Sequence, residues 1–285
     1  MEISDFKNSN ILVVGLGLMG CAFADAFKGL NPKKIYGVDI NSDIIKKAES
    51  IGLIDKGYIS AEEVLPQCDF VFICLYLNDA INFIVNNMEN FKEGSIITDI
   101  VGIKREIIDS VKDILRSDID YIPGHPMAGK EKQGFGYADK SIFIGKNYIL
   151  TPLENNKKEN IDFLVEVLKE IGFSNIVFTT PDDHDKKIAF TSQLCHVIAA
   201  SMVDINDDDS IANFEGGSFQ DMTRIAIING NMWSELFFAN KDKLVDELNK
   251  FQDSIEKFKS IIEKEDEQLV DILDNIKNKR EKLNR

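Results

Sequence analysis

Short apolar runs recur along the first half of the chain: ILVV (11–14), KIYGVD (34–39), FVFICLYL (70–77), SIITD (95–99), DYIPG (120–124) and KNYILT (146–151). Most are continuous and rich in Val, Ile and aromatic residues, the pattern of strands buried on both faces. Amphipathic stretches lie between them. One is LMGCAFADAFKG (18–29), where Gly29 ahead of Asn31-Pro32 supplies a C-terminal stop. Such alternation predicts an α/β fold, a parallel sheet with helices on both sides. After Pro152 the pattern changes. Residues 157–172 read as helix, NIVF (175–178) as a short strand, and nearly everything beyond Pro181 as helix. Leu244, Leu248, Phe251, Ile255, Phe258 and Ile262 follow a heptad spacing that breaks near Glu265–Asp266 and resumes at Leu269, Ile272 and Ile276. A stripe this long needs a partner surface, either its own domain or a second subunit. We read the C-terminal part as a helical dimerisation domain.

At 285 residues the chain is long enough for two domains, which the change of pattern places at 1–152 and 153–285. Net charge is −15 and both parts are acidic, which argues against nucleic acid or an anionic membrane as partner. Cys21, Cys68, Cys74 and Cys195 are scattered, without a C-x-x-C pair or metal-ligand spacing, and read as reduced packing thiols. The polar N-terminus MEISDFKNSN is unlike a signal peptide, and FVFICLYL is too short to span a bilayer. A cytoplasmic protein is expected.

Directly after the first run comes Gly15-Leu16-Gly17-Leu18-Met19-Gly20, which opens the first helix. The first glycine permits a tight turn, the second lets backbone approach a pyrophosphate, and the third allows close helix–strand packing. Phosphates would sit on the open N–H groups of the helix start. Asp39 ends the second run, 19 residues after Gly20. Its carboxylate suits a ribose 2′-hydroxyl and would repel a 2′-phosphate, so NAD is expected rather than NADP. With that fingerprint the predicted sheet is of the doubly wound Rossmann type.

Three histidines are present. His125 lies in PGHPMAG (123–129), just past a predicted strand, where the crevice beyond the strand ends binds ligands. His196 shares a helix face with Ser192 among apolar neighbours, as a core histidine also would. His184, beside Asp182, Asp183 and Asp185, reads as a capping or structural residue. Arg224 follows a glycine loop and suits two-pronged recognition of a carboxylate, with an ion pair to Asp221 as the alternative. Trp233, the single tryptophan, is equally consistent with a core or a pocket wall. On so acidic a chain, an anionic ligand must rely on local donors, for which Arg224, Lys104, Arg105, Lys130 and the helix start are candidates.

Taken together, the glycine loop with Asp39, GHPMAGKEKQG (124–134), His184-Asp185, and GGSFQDMTRIA (216–226) with Met232-Trp233 resemble the prephenate dehydrogenases of tyrosine biosynthesis. The motifs run in order from about residue 10 to 240. The resemblance implies a two-domain homodimer joined through the C-terminal helices that oxidises prephenate with NAD. It implies that His125 is the catalytic histidine at the ring hydroxyl and that Arg224 holds a substrate carboxylate. His196 would line the substrate pocket, together with Trp233, and Glu131 would stand at its entrance. It further implies the monofunctional form. Two positions depart from the family's pattern. Gly102 stands where many members have a serine supporting the catalytic histidine, and Gln193-Leu-Cys-His196 stands in place of His-Leu-Pro-His. Three rivals remain: arogenate dehydrogenase, a β-hydroxyacid dehydrogenase using Lys186 or Lys187, and a non-catalytic NAD-sensing dimer.

Overall fold

The computed structural model describes residues 6–129, 134, 136 and 139–283. The predicted runs form strands β1 (Asn10–Val14), β2 (Lys34–Val38), β4 (Phe70–Ile73), β5 (Ile96–Asp99) and β6 (Asp120–Tyr121), joined by a short β3 (Lys56–Tyr58). All six pair in parallel in the order β3-β2-β1-β4-β5-β6. Helices α1 (Leu18–Lys28), α2 (Ser42–Ser50), α3 (Leu77–Asn87) and α4 (Arg105–Val111) make the crossovers. Because successive strand side chains point to opposite faces, β1 divides its residues between two cores. Ile11 and Val13 join Phe23, Phe27, Phe70 and Phe72 on one face. Leu12 and Val14 join Val71, Ile73, Leu77 and Ile107 on the other. The sheet is therefore buried on both faces.

Two runs behave differently from the simple alternation. DYIPG divides at Pro123, which has no N–H to donate to a ladder. Asp120 and Tyr121 stay in the parallel sheet, while Gly124–Pro126 form β7 of a second sheet. There β7 runs antiparallel to β8 (Asn147–Leu150), which pairs in parallel with β9 (Asn175–Phe178). Helix α5 (Lys158–Glu170) buries Phe163, Leu164, Val167 and Leu168 in the same core as α1. β3 carries no apolar run of its own, only Lys-Gly-Tyr.

Beyond β9 the chain is helical: α6 (Pro181–Ile188), a π-helical segment (Ala189–Gln193), α7 (Leu194–Asp204), α8 (Gly217–Thr223), a 3-10 turn (Arg224–Ala226) and α9 (Gly230–Ala239). Residues 1–240 form one compact unit and 241–285 a second. The second unit consists of α10 (Lys241–Glu263) and α11 (Leu269–Lys282). The chain breaks between them where the heptad pattern does, with Glu265 at φ +52°. Of the stripe only Leu244 is buried, while Ile255, Ile262 and Ile276 are exposed. Among the described residues no helix is long and apolar enough to cross a membrane.

Candidate active site

The glycine loop has the mechanics expected of it. Gly15 adopts φ +86°, and a Cβ there would stand 2.6 Å from the carbonyl of Cys74. A Cβ on Gly20 would stand 1.8 Å from the carbonyl oxygen of Gly15. Over Gly17, by contrast, a Cβ would meet nothing within 4 Å, so the loop is open on the side a ligand would approach. No side chain caps α1, and its first turn holds no acid, leaving the positive end of the helix to an incoming anion. Leu16 and Leu18 are buried in the core and anchor the loop to the sheet. Asp39 reaches back into the loop: one carboxylate oxygen accepts the N–H of Leu16 and the other that of Asn41, both at 2.8 Å. Each oxygen keeps a second lone pair for a ribose hydroxyl. These residues suit a bound dinucleotide.

His125 lies on β7, half-buried, opposite Ile149 of β8. Its ring ends a chain of groups that the sequence reading did not connect. Nδ1 of His125 is 3.0 Å from Nε2 of His184, whose Nδ1 is 2.7 Å from Oδ1 of Asp185. His184 and Asp185 are both buried. The Asp185 carboxylate also accepts the main-chain N–H groups of Lys104 (2.8 Å) and Arg105 (2.9 Å). The cap of α6 is Thr180, whose hydroxyl accepts from the Asp183 N–H, with Pro181 in the first turn. His184 is therefore not the cap. It is the link between Asp185 and His125.

Burial, reinforced by His184 and by Lys104, holds the His125 pKa well below the ordinary histidine range. Burial also lowers that of His184, against the pull of its hydrogen bond to Asp185. With both rings neutral, the carboxylate decides the tautomers. Asp185 accepts from Nδ1–H of His184, so Nε2 of His184 carries a lone pair and accepts from Nδ1–H of His125. Nε2 of His125 is then left as a bare lone pair. A Cβ on Gly102 would stand 3.7 Å from that nitrogen and 3.8 Å from Leu236 of α9. The glycine in place of serine thus lies directly beside the basic atom.

The helical segment closes over this edge of the sheet. His196 stacks on Trp233 with ring centroids 3.7 Å apart, and its Nδ1 donates to the Ser192 carbonyl at 2.9 Å. Trp233 stands one turn before Leu236 on α9. Gln193, buried in the π-helical segment, donates to the Leu236 carbonyl at 2.7 Å. Asn240 donates to Gln193 at 2.8 Å and to the Asp185 carbonyl at 2.9 Å. Extra-turn segments of this kind recur at functional sites because they redirect side chains within a helix. His125, His196 and Trp233 are thereby brought to one region through α6, α7 and α9. Arg224 opens the 3-10 turn that packs on α7, the helix of His196.

Other candidates stand differently. Lys104 is no open donor for an anion. It is fully buried, paired with Asp99 at 2.6 Å and bonded to the Gly124 carbonyl. Burial lowers its pKa, opposed by Asp99. Arg105 is bound to the Asp185 carboxylate and to Asn240. Lys186 and Lys187 are exposed, and Lys187 pairs with Asp183. Glu131 and Lys130 lie outside the described residues.

The nucleotide-binding domain of prephenate dehydrogenase, as a family model, matches residues 23–177, and the dimerisation domain of the same enzyme matches 180–275. The chain belongs to the prephenate dehydrogenase family. It is 30% identical over 263 residues to the prephenate dehydrogenase of Bacillus subtilis, covering 90% of this chain and 71% of that relative. The prephenate dehydrogenase of Aquifex aeolicus, solved with hydroxyphenyl propionate and NAD+, superposes with a TM-score of 0.88 at 31% identity, covering 96% of this chain and 98% of that one. Synechocystis arogenate dehydrogenase shares the fold, with a TM-score of 0.82 at 24% identity over 96% of this chain and 99% of its own. Within this prephenate dehydrogenase family fold, the glycine loop precedes the stretch matched by the nucleotide-binding model. Its geometry therefore argues separately for the same cofactor.

Proposed function

We propose that this protein is a prephenate dehydrogenase that converts prephenate and NAD to 4-hydroxyphenylpyruvate, carbon dioxide and NADH. The observation that carries the reading is the chain Asp185–His184–His125, which leaves Nε2 of His125 as a base beside Gly102 at the mouth of a dinucleotide-binding sheet. NAD, when bound, supplies the hydride acceptor. Residues 15–20 and Asp39 would hold the cofactor. Nε2 of His125 accepts the proton of the ring hydroxyl as hydride leaves the same carbon. The ring carboxylate is lost as carbon dioxide, and as its electron pair makes the ring aromatic the phenolate oxygen takes the proton back from His125. Arg224 holds a substrate carboxylate and so aligns the carbon that loses hydride. His196 and Trp233 form an aromatic wall against the ring.

The same reading makes the protein a cytoplasmic homodimer joined through its C-terminal helices. It rests on the dimerisation-domain match and on the apolar residues left exposed along α10 and α11, among them Ile255, Ile262, Leu273 and Ile276. The test of function is NADH formation with NAD or NADP, offering prephenate and then arogenate. Turnover of prephenate with NAD is expected. Turnover of arogenate alone would move the substrate assignment while keeping the base and the cofactor site. Binding of NAD without turnover of either would overturn the enzyme reading.

A further inference from the structure

A lysine with no exposed surface needs an explanation, because burying an ammonium is costly unless its charge and its donors are matched. The Lys104 side chain is 0% exposed. Its Nζ donates to Oδ1 of Asp99 at the end of β5 and to the carbonyl of Gly124, the residue just before His125. Its main-chain N–H meanwhile donates to Oδ1 of Asp185, the same oxygen that takes the His184 Nδ1 hydrogen. His125 therefore has two anchors, one on its main chain and one on its ring. Both lead back to Lys104.

We propose that Lys104 is a positioning residue for His125, its ammonium holding the peptide before the base while its own amide holds the carboxylate that orients the base's ring. This deepens the reading of His125 as the proton acceptor and rests on it. Asp99 is itself held: the Tyr121 hydroxyl donates to its other oxygen at 2.7 Å and the Val101 N–H to Oδ1 at 2.8 Å. The anchor is thus built into the parallel sheet, whereas the base it serves lies on the separate sheet of β7, β8 and β9. One buried residue spans the seam. Its charge has a second consequence, since a cation near the imidazole disfavours the protonated ring and keeps the base available.

The titratable and charged groups around His125 come from several elements. They are His184 and Asp185 of α6, Lys104 and Arg105 at the start of α4, and Asp99 of β5. Tyr121 of β6 bonds Asp99, and Tyr148 of β8 packs under Gly124, where a Cβ would stand 2.5 Å from its hydroxyl. Glu235 precedes Leu236 on α9, and its carboxylate accepts the Asn78 N–H. Of these, only Lys104 touches both supports of the base.

The experiment compares the full-length wild-type protein with Lys104→Met and with Asp99→Asn/Lys104→Met, the second removing the carboxylate that the first would strand. Nitrogen NMR of the histidine rings, assigned with His125→Asn, reads tautomer and titration without turnover. NADH formation supplies kcat, KM and the pH profile. In wild type His125 is expected as the Nδ1–H tautomer, protonating below the ordinary histidine value. In Lys104→Met, which removes the ammonium but keeps the main-chain N–H on Asp185, the acidic limb of kcat/KM should move to higher pH while the ring keeps its tautomer. Both variants should lose about tenfold or more in kcat with KM nearly unchanged, the mark of a group that acts in the chemical step. If Lys104→Met does not fold, the double variant and the wild-type spectrum decide. A folded variant with wild-type kcat and pH limb would overturn the proposal, as would a wild-type His125 protonated on Nε2. Failure of the wild type to turn over prephenate would instead count against the function, since the ring spectra do not depend on it.

Discussion

At the scale of single residues, what distinguishes His125 is which of its nitrogens is free. A carboxylate two links away determines this, because Asp185 can only accept and so forces the direction of each hydrogen bond in turn. His125→Asn is expected to lower kcat by roughly 10²–10⁴ with little change in KM, the range for loss of a positioned base. Steady-state kinetics with prephenate checks it, and near-normal kcat would remove His125 from the chemistry. The two rings also tie stability to pH. Both are held below the ordinary histidine value, chiefly by burial. Above about 6.5, the unfolded histidine value, both states carry neutral rings and the full stability is present. As pH falls through that value the unfolded chain takes up protons that the native state refuses. Stability should therefore decline from about pH 6.5 downward, until the lower native pKa values are reached. Urea unfolding from pH 8 to 5 measures this decline, and a His125→Asn/His184→Phe variant should show a shallower one.

Elements matter here through their ends. The glycine loop joins β1 to α1, and its third partner, Asp39 at the end of β2, is a clamp as well as a selector. It takes the Leu16 and Asn41 N–H groups before any cofactor arrives. Asp39→Ala should thus do two things: weaken NAD binding by about 5- to 150-fold, and reduce the preference for NAD over NADP. The magnitude follows from about 1–3 kcal/mol for the lost hydrogen bonds between the ribose hydroxyl and a charged acceptor. Titration of both cofactors onto the variant tests it, and an undiminished NAD preference would show that Asp39 serves the loop alone. Further along, α6, the π-helical segment and α7 act as one rod. Asp185 and Gln193 of this rod, bonded to Asn240 just after α9 and to the Leu236 carbonyl, tie α9 to the sheet edge, so that Leu236 comes to rest beside Gly102.

For the whole molecule, the question is what covers the apolar residues the chain leaves exposed. Ile255, Ile262 and Ile276 face solvent at 49%, 61% and 44%. Apolar residues so regularly spaced along a helix are usually buried against another surface. Ile255→Glu/Ile262→Glu should convert the proposed dimer to monomer while helical circular dichroism is kept. Sedimentation velocity distinguishes the two species, and an unchanged dimer would place the interface elsewhere, for instance on the exposed Phe214, Ile227 and Phe238. The net charge of −15 adds a consequence at this scale: cofactor and substrate are both anionic, so their binding depends on local donors rather than on the field of the protein.

The strands, the glycine loop, the acid at its partner strand and the heptad helix were legible in the sequence because each is set by local pattern or by a short fixed spacing. His125 was singled out by the proline and glycine around it, which suggested a loop past a strand end, whereas it lies on β7 of the second sheet. Tertiary structure alone decided the rest. His184 looked like a cap because its neighbours in sequence are acids at a helix start, and only folding sets it against a histidine 59 residues away. Lys104 looked like an open cation because a lysine is ordinarily exposed, and nothing local announces a carboxylate and a carbonyl waiting in the same cavity. Pro123 similarly divided one apolar run between two sheets, since strand partnership depends on hydrogen-bond ladders formed with distant segments. Local chemistry determined which residues were available to react. The packing of distant segments decided which of their atoms are free to do so.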